Sequence, residues 1–198
     1  IHARKGLPKI LEAYGKAFNK KDDVCLVLKV AVKKTEKPAP FDVDFWKLYK
    51  DFQQKYPQHA EIEVITEFIP NIASLYLACD ILFSMSHGEC FHLPSLEALG
   101  AGLIVIAPKH GGVLDFLNDS NSFLIPGKNV RCPKDWQYWL GNAKSSMFDA
   151  SIDDAVHMLR YVNFNYDMLR IQMSHHINET AKAFTWTKAT EKILNLVE

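Results

Sequence analysis

From Gly6 to about Ile125 the chain alternates between stripes of helical spacing and short apolar runs. That alternation points to an α/β fold with a parallel sheet and right-handed crossovers. Leu7, Ile10, Leu11, Tyr14, Ala17 and Phe18 recur at helical spacing after Gly6-Leu7-Pro8. Val24 to Val30 has strand character, and the polar, Pro-containing stretch from Lys33 to Pro40 reads as a loop. Phe45, Leu48, Tyr49 and Phe52 make a second helical stripe, closed near Tyr56-Pro57. Strands are expected at Ile62 to Ile65, Ile81 to Met85, Leu103 to Ala107 and, weakly, Phe123 to Ile125. Asn71 is placed to cap a helix carrying Ile72, Leu75, Tyr76 and Cys79. The continuous apolar run at Leu103 to Ala107 is expected to be buried on both faces.

Beyond Pro126 the character changes. Val130 to Met147 is aromatic and irregular, with Trp136, Tyr138 and Trp139. Helical stripes follow through Ile152, Val156, Leu159 and Val162, then Met168, Leu169, Ile171 and Met173, with a terminal helix over Trp186 to Val197. The expected organisation is a Rossmann-like parallel sheet flanked by helices over residues 1–127. Residues 128–198 add an irregular aromatic segment and C-terminal helices packed on the same domain. Ligands in such folds sit at the carboxyl ends of the strands. The loops Ser86–Leu93 and Pro108–Gly112 fall on that edge.

Composition narrows the partners. A chain of 198 residues with 48% hydrophobic content is a folded globule. Its 23 basic and 23 acidic side chains cancel, so no broad electrostatic footprint for nucleic acid or an anionic membrane is present. Any phosphate site must come from a few placed groups. Cys25 and Cys79 lie in apolar runs and read as buried thiols; with Cys90 and Cys132 they show no paired metal spacing. A reducing, cytoplasmic setting is the expectation. No apolar run approaches a membrane span. The chain starts at Ile1 without Met or a signal pattern, and is expected to be a piece of something longer.

The richest stretch for chemistry is Ser86-His87-Gly88-Glu89-Cys90-Phe91-His92-Leu93-Pro94-Ser95-Leu96-Glu97-Ala98. It sets Glu89 in a loop and Glu97 just inside a helix that Pro94 helps to start. Free N–H groups of a first helical turn form an anion site. An anion cradle beside two carboxylates suits a ligand with both phosphate and hydroxyl groups, such as a nucleotide-sugar. On spacing alone, Glu97 reads first as a first-turn acid stabilised by the helix dipole, a contribution of roughly 0.3–1 kcal/mol, since two acids near a helix start are common. Gly111-Gly112 either lets backbone approach a ligand or makes an ordinary tight turn, and Asp115 fits a helix first turn. Arg4 and Lys5 stand where a strand should give way to the first helix; they could clamp a diphosphate or form a solvated terminus. His87, Cys90 and His92 are ligand types that zinc accepts, but no second cluster completes a four-ligand set, so no metal is expected. His92 or His110 is the better candidate for an imidazole that touches ligand. No hydrolase triad and no Walker-type phosphate loop is present.

Together these pieces resemble the C-terminal half of a family 4 glycosyltransferase of the GT-B fold. The matching stretches are Arg4-Lys5-Gly6, Leu75-Tyr76-Leu77-Ala78-Cys79-Asp80, Ser86 through Gly102, Val105-Ile106-Ala107, Gly111-Gly112-Val113-Leu114-Asp115 and Phe184-Thr185-Trp186. The resemblance implies a retaining enzyme that moves a sugar from a nucleotide-diphosphate donor to an acceptor. It assigns the donor sugar to Glu89, as the catalytic-site acid, with the loop amides of Cys90, Phe91, His92 and Leu93. It assigns the ribose to Glu97 and the donor diphosphate to Lys5, with Gly111 and Gly112 also lining the donor site. It implies no cofactor beyond the donor substrate.

Two departures from that family pattern stand out. Cys90 and His92 occupy positions where the family usually has glycine, and the usual glycine at the end of the second strand is replaced near Lys29. The family's phosphate-clamping Arg lies several residues before the Lys, which would place it ahead of Ile1, so Arg4 is not its direct counterpart. The resemblance also implies an N-terminal acceptor-binding domain, which this chain lacks, so the fragment is expected to bind donor without transferring sugar alone. Two other readings stay open: a GT-B sugar-nucleotide epimerase or phosphorylase, the latter without a visible pyridoxal-phosphate motif, and a non-catalytic carbohydrate- or protein-binding module.

Overall fold

The structure is a computed structural model that describes residues 2–31, 43–134 and 144–196. The first helix, α1 (Leu7–Ala17), starts from Gly6, whose φ of 68° is left-handed. A side chain on Gly6 would overlap the Met85 carbonyl, so glycine is required there for two reasons. Leu7, Leu11, Tyr14 and Ala17 of the expected stripe face inward along α1, joined by Ala13, while Ile10 is half-buried. Strand β1 (Cys25–Lys29) then crosses through α2 (Phe45–Lys55) to its parallel partner β2 (Glu61–Ile65). Asp44 caps α2 by accepting from Lys47 N. The Tyr14 hydroxyl donates to the Glu61 carbonyl at 2.7 Å and ties α1 to β2.

Asn71 caps α3 (Ile72–Leu77), as expected, by accepting from Ala73 N. Strand β3 (Ile81–Phe83), helix α4 (Leu93–Gly100), β4 (Ile104–Pro108) and β5 (Ser122–Ile125) follow, and the three strands pair in parallel in the order β3-β4-β5. All five residues of β4 are buried, because helices cover both faces of a central parallel strand. Among the described residues the parallel strands therefore form two hydrogen-bonded sets, β1-β2 and β3-β4-β5. Leu26 and Ile62 pack against the cores of both.

The segment expected to be irregular is bracketed by an antiparallel hairpin. Strand β6 (Gly127–Arg131) pairs with β7 (Ser146–Ala150), from Gly127↔Ala150 to Arg131↔Ser146. The pattern hid it because β6 is almost wholly exposed and only Phe148 and Ala150 of β7 are buried. Trp136, Tyr138 and Trp139 lie outside the described residues, as do Lys33 to Pro40 and Val197. Helices α5 (Ile152–Phe164), α6 (Tyr166–Ala183) and α7 (Trp186–Leu194) end the described chain. Ala155, Leu159, Val162, Leu169, Met173 and Ile177 of α5 and α6 join the same core as Ile104–Ala107. Arg160 locks α5 to the end of α1 by donating to the Ala17 and Lys16 carbonyls.

The cysteines depart from expectation. Cys25 is exposed at the first position of β1, Cys79 is half-buried, and Cys132 is the buried thiol. An apolar run does not specify which face of its first residue meets solvent. No described helix is long and apolar enough to cross a membrane.

Candidate donor site

The loop after β3 and the turn after β4 meet at the carboxyl edge of the sheet, beside the short 3-10 turn Ala3–Lys5. That turn is fixed from its backbone. The Arg4 carbonyl accepts from His87 N at 2.8 Å. Arg4 and Lys5 are thereby delivered to Glu89. Lys5 Nζ and Ser86 Oγ each lie 2.7 Å from Glu89 Oε1, and Arg4 Nη1 lies 2.8 Å from Oε2. Arg4 also donates to the Gly88 carbonyl. The Glu89 side chain is only 11% exposed. Burial alone would raise its pKa, but the hydrogen bonds from Lys5, Ser86 and Arg4 outweigh that and hold it down to about 2.

His92 has φ 66°, left-handed for a residue with a side chain, and is alone in this among the described non-glycine residues. It precedes α4 directly, so Pro94 occupies the second helical position. The imidazole Nδ1 lies 2.6 Å from the Ser95 hydroxyl. Burial pushes the His92 pKa down, and the ring lies within electrostatic reach of Glu89, Lys5, Arg4 and Glu97. It thus stands among all four charged groups of the site. Cys90 and Leu93 are exposed beside it. Among the described residues no backbone carbonyl accepts from the N–H groups of Cys90, Phe91 or His92. The Phe91 ring turns away, packing on Phe116 and Phe184 with centroids 5.0 and 6.2 Å apart. Its backbone is what the site can use.

Glu97 is the fifth residue of α4, beyond the first turn where the dipole acts, so the first-turn reading of this acid falls away. It is exposed, and its Oε2 accepts from the Tyr76 hydroxyl of α3 at 2.9 Å. Burial, then this bond, raises the Tyr76 pKa. Tyr76 was legible only as part of an apolar stripe; the signal that it serves the site is its reach across 21 residues to a carboxylate.

Gly111 and Gly112 are needed by the protein itself. A Cβ on Gly111 (φ 77°) would lie 2.8 Å from the Glu89 carbonyl, and one on Gly112 would overlap the Cys90 carbonyl. Gly112 N also donates to the Glu89 carbonyl at 3.3 Å. The pair supports the Glu89 loop from behind. Asp115 closes that 3-10 turn (Gly111–Asp115) and does not open a helix.

The other histidines hold the hairpin. Phe148 N donates to the His87 carbonyl at 2.9 Å, His87 Nδ1 lies 2.9 Å from the Phe148 carbonyl, and the His110 ring stacks on Phe148 at 4.7 Å. No group of three or more His, Cys, Asp or Glu side chains among the described residues is arranged to hold a metal ion. A cavity of about 760 Å³ lies at the opposite, amino end of β3 and β4, lined by Leu77, Asp80, Tyr166, Arg170, Ile171 and Asn178. It contains none of the residues above, and the charge convergence at Glu89 marks the better site.

An α/β fold with this charged loop at its strand ends is one half of a GT-B glycosyltransferase architecture. The chain belongs to the family described as "Glycosyl transferases group 1", whose profile matches residues 2–133. Among its relatives are the D-inositol 3-phosphate glycosyltransferases of Corynebacterium kroppenstedtii and Saccharomonospora viridis, each 26% identical over 65% and 68% of this chain. The matches span only 24% and 27% of those proteins, about a quarter of their length. Among solved structures, Anabaena HepE in complex with UDP-glucose superposes over all of this chain and 46% of its own, with TM-score 0.70 and 16% identity. The C-terminal domain of a Francisella tularensis glycosyl transferase group 1 protein superposes over 92% of this chain and 80% of its own, with TM-score 0.66 and 24% identity.

Proposed function

We propose that this chain is the donor-binding half of a retaining glycosyltransferase that moves a sugar from a nucleotide-diphosphate donor to an acceptor. The observation that carries the reading is Glu89, ringed by Lys5, Arg4 and Ser86 at the carboxyl edge of the sheet. Lys5 takes the diphosphate, where a compact ammonium neutralises phosphate charge. Glu89 and the amides of Cys90, Phe91, His92 and Leu93 take the transferred sugar. Glu97, oriented by Tyr76, takes the ribose hydroxyls, since a carboxylate accepts two hydrogen bonds side by side. Gly111 and Gly112 keep the Glu89 loop in place. The donor is the only small molecule the reading requires. The acceptor site and much of the catalytic apparatus belong to an N-terminal domain outside this chain, so the chain binds donor without turning it over.

Support comes from the family membership and from HepE, a protein of the same fold solved with UDP-glucose. Calorimetric titration with UDP-, GDP- and ADP-sugars tests the reading. Binding of one class, weakened by Glu97→Ala, is the expected result. Binding of none would favour a non-catalytic module, and turnover by this chain alone would overturn the division of labour.

A further inference from the structure

Arg4 and Lys5 meet Glu89 from the solvent side: their side chains are 38% and 44% exposed, against 11% for Glu89. Ser86, by contrast, is 5% exposed and holds Glu89 Oε1 from the protein side. A diphosphate arriving at Lys5 competes with Glu89 for the same N–H groups. It carries more negative charge than one carboxylate, and both cations ride on long flexible stems that can follow it. We propose that Arg4 joins Lys5 in holding the donor diphosphate, and that both are handed over from Glu89, which is thereby freed to bind the sugar.

This deepens the donor-site reading and rests on it. Arg4 Nη1 is the cation on Oε2, so its departure opens that oxygen; the departure of Lys5 opens the second acceptor direction on Oε1. Ser86 stays and keeps the carboxylate aimed. A largely buried carboxylate stripped of its cations is costly unless other donors replace them. Sugar hydroxyls are such donors. A diphosphate without a sugar therefore bears the cost of the exchange uncompensated. A sugar without a diphosphate finds Glu89 already taken. Recognition of the two parts of the donor is coupled through one carboxylate.

The test uses inorganic pyrophosphate and UDP-glucose, titrated calorimetrically at pH 7.5 into the wild-type chain, Glu89→Gln and Arg4→Gln. Glu89→Gln removes the competing charge, so pyrophosphate should bind about tenfold more tightly, while UDP-glucose gains little because its sugar loses a partner. The preference for UDP-glucose over pyrophosphate then narrows by a similar factor. Arg4→Gln should weaken pyrophosphate about fivefold. If Glu89→Gln fails to fold, as read by circular dichroism, Glu89→Asp withdraws the carboxylate by one methylene and should also tighten pyrophosphate. Pyrophosphate affinity that is unchanged or lower in the folded Glu89 variant overturns the exchange. Wild-type chain that binds UDP-glucose no better than pyrophosphate instead overturns the donor reading, a separate result.

Discussion

The Tyr76 hydroxyl and Glu97 Oε2 stand 2.9 Å apart, joining α3 to the exposed face of α4. One hydrogen bond from a half-buried phenol fixes which way an otherwise free carboxylate points. Tyr76→Phe should therefore weaken UDP binding about three- to tenfold, the worth of roughly 0.5–1.5 kcal/mol for one net hydrogen bond. Pyrophosphate, which has no ribose, should bind as before. An equal loss for both ligands would refute the assignment of Glu97 to the ribose.

Glu89 links the site to acid stability. Its pKa is depressed in the folded state to about 2, so its ion pairs stabilise the fold fully above the ordinary carboxylate range and are lost as pH falls through about 2. Wild-type protein should lose stability between about pH 5 and pH 2 more steeply than Glu89→Gln. Chemical denaturation at a series of pH values measures this. Parallel curves for the two proteins would show that Glu89 contributes no such term.

His92 holds a backbone conformation that glycine adopts without cost. His92→Ala keeps the strain and removes the Ser95 contact, so it should destabilise by about 1–2 kcal/mol. His92→Gly should recover about 1 kcal/mol of that, the usual penalty for a Cβ in this region. Urea denaturation of the two variants side by side decides it; a glycine variant less stable than the alanine variant would mean that the left-handed turn carries no strain.

Gly112 and Gly88 make a paired comparison. A Cβ on Gly112 would overlap the Cys90 carbonyl, whereas one on Gly88 would meet nothing within 4 Å. Gly112→Ala should destabilise by about 1–3 kcal/mol and shift the Glu89 loop, while Gly88→Ala should stay within about 0.5 kcal/mol of wild type. Thermal melts distinguish them, and equal melting temperatures would contradict the close approach.

Much of the architecture could be read from periodicity. The stripes of α1, α2, α3, α5 and α6 and the apolar runs of β1 to β5 are local patterns, repeated every 3.6 or 2 residues, and local patterns survive in one dimension. The hairpin β6–β7 could not be read so, because its exposed strand has no apolar alternation to display. Cys25 was misread for a related reason: hydrophobic neighbours predict a strand, but not which of its residues lies open to water.

The site divides along the same line. Glu89 and Glu97 were legible because strand, loop and proline-started helix follow one another directly, which puts both acids at the carboxyl edge of a parallel sheet. The partners of those acids were not. Lys5 reaches Glu89 across 84 residues, and Tyr76 reaches Glu97 across 21. The chain order alone determined the alternating elements and the loop that carries the acids, since each depends on near neighbours. Only the crossovers, folded and packed, decided that Arg4 and Lys5 close on one carboxylate while Tyr76 steadies the other, because side-chain contacts between remote segments are set by how the elements stack and by nothing a local period records.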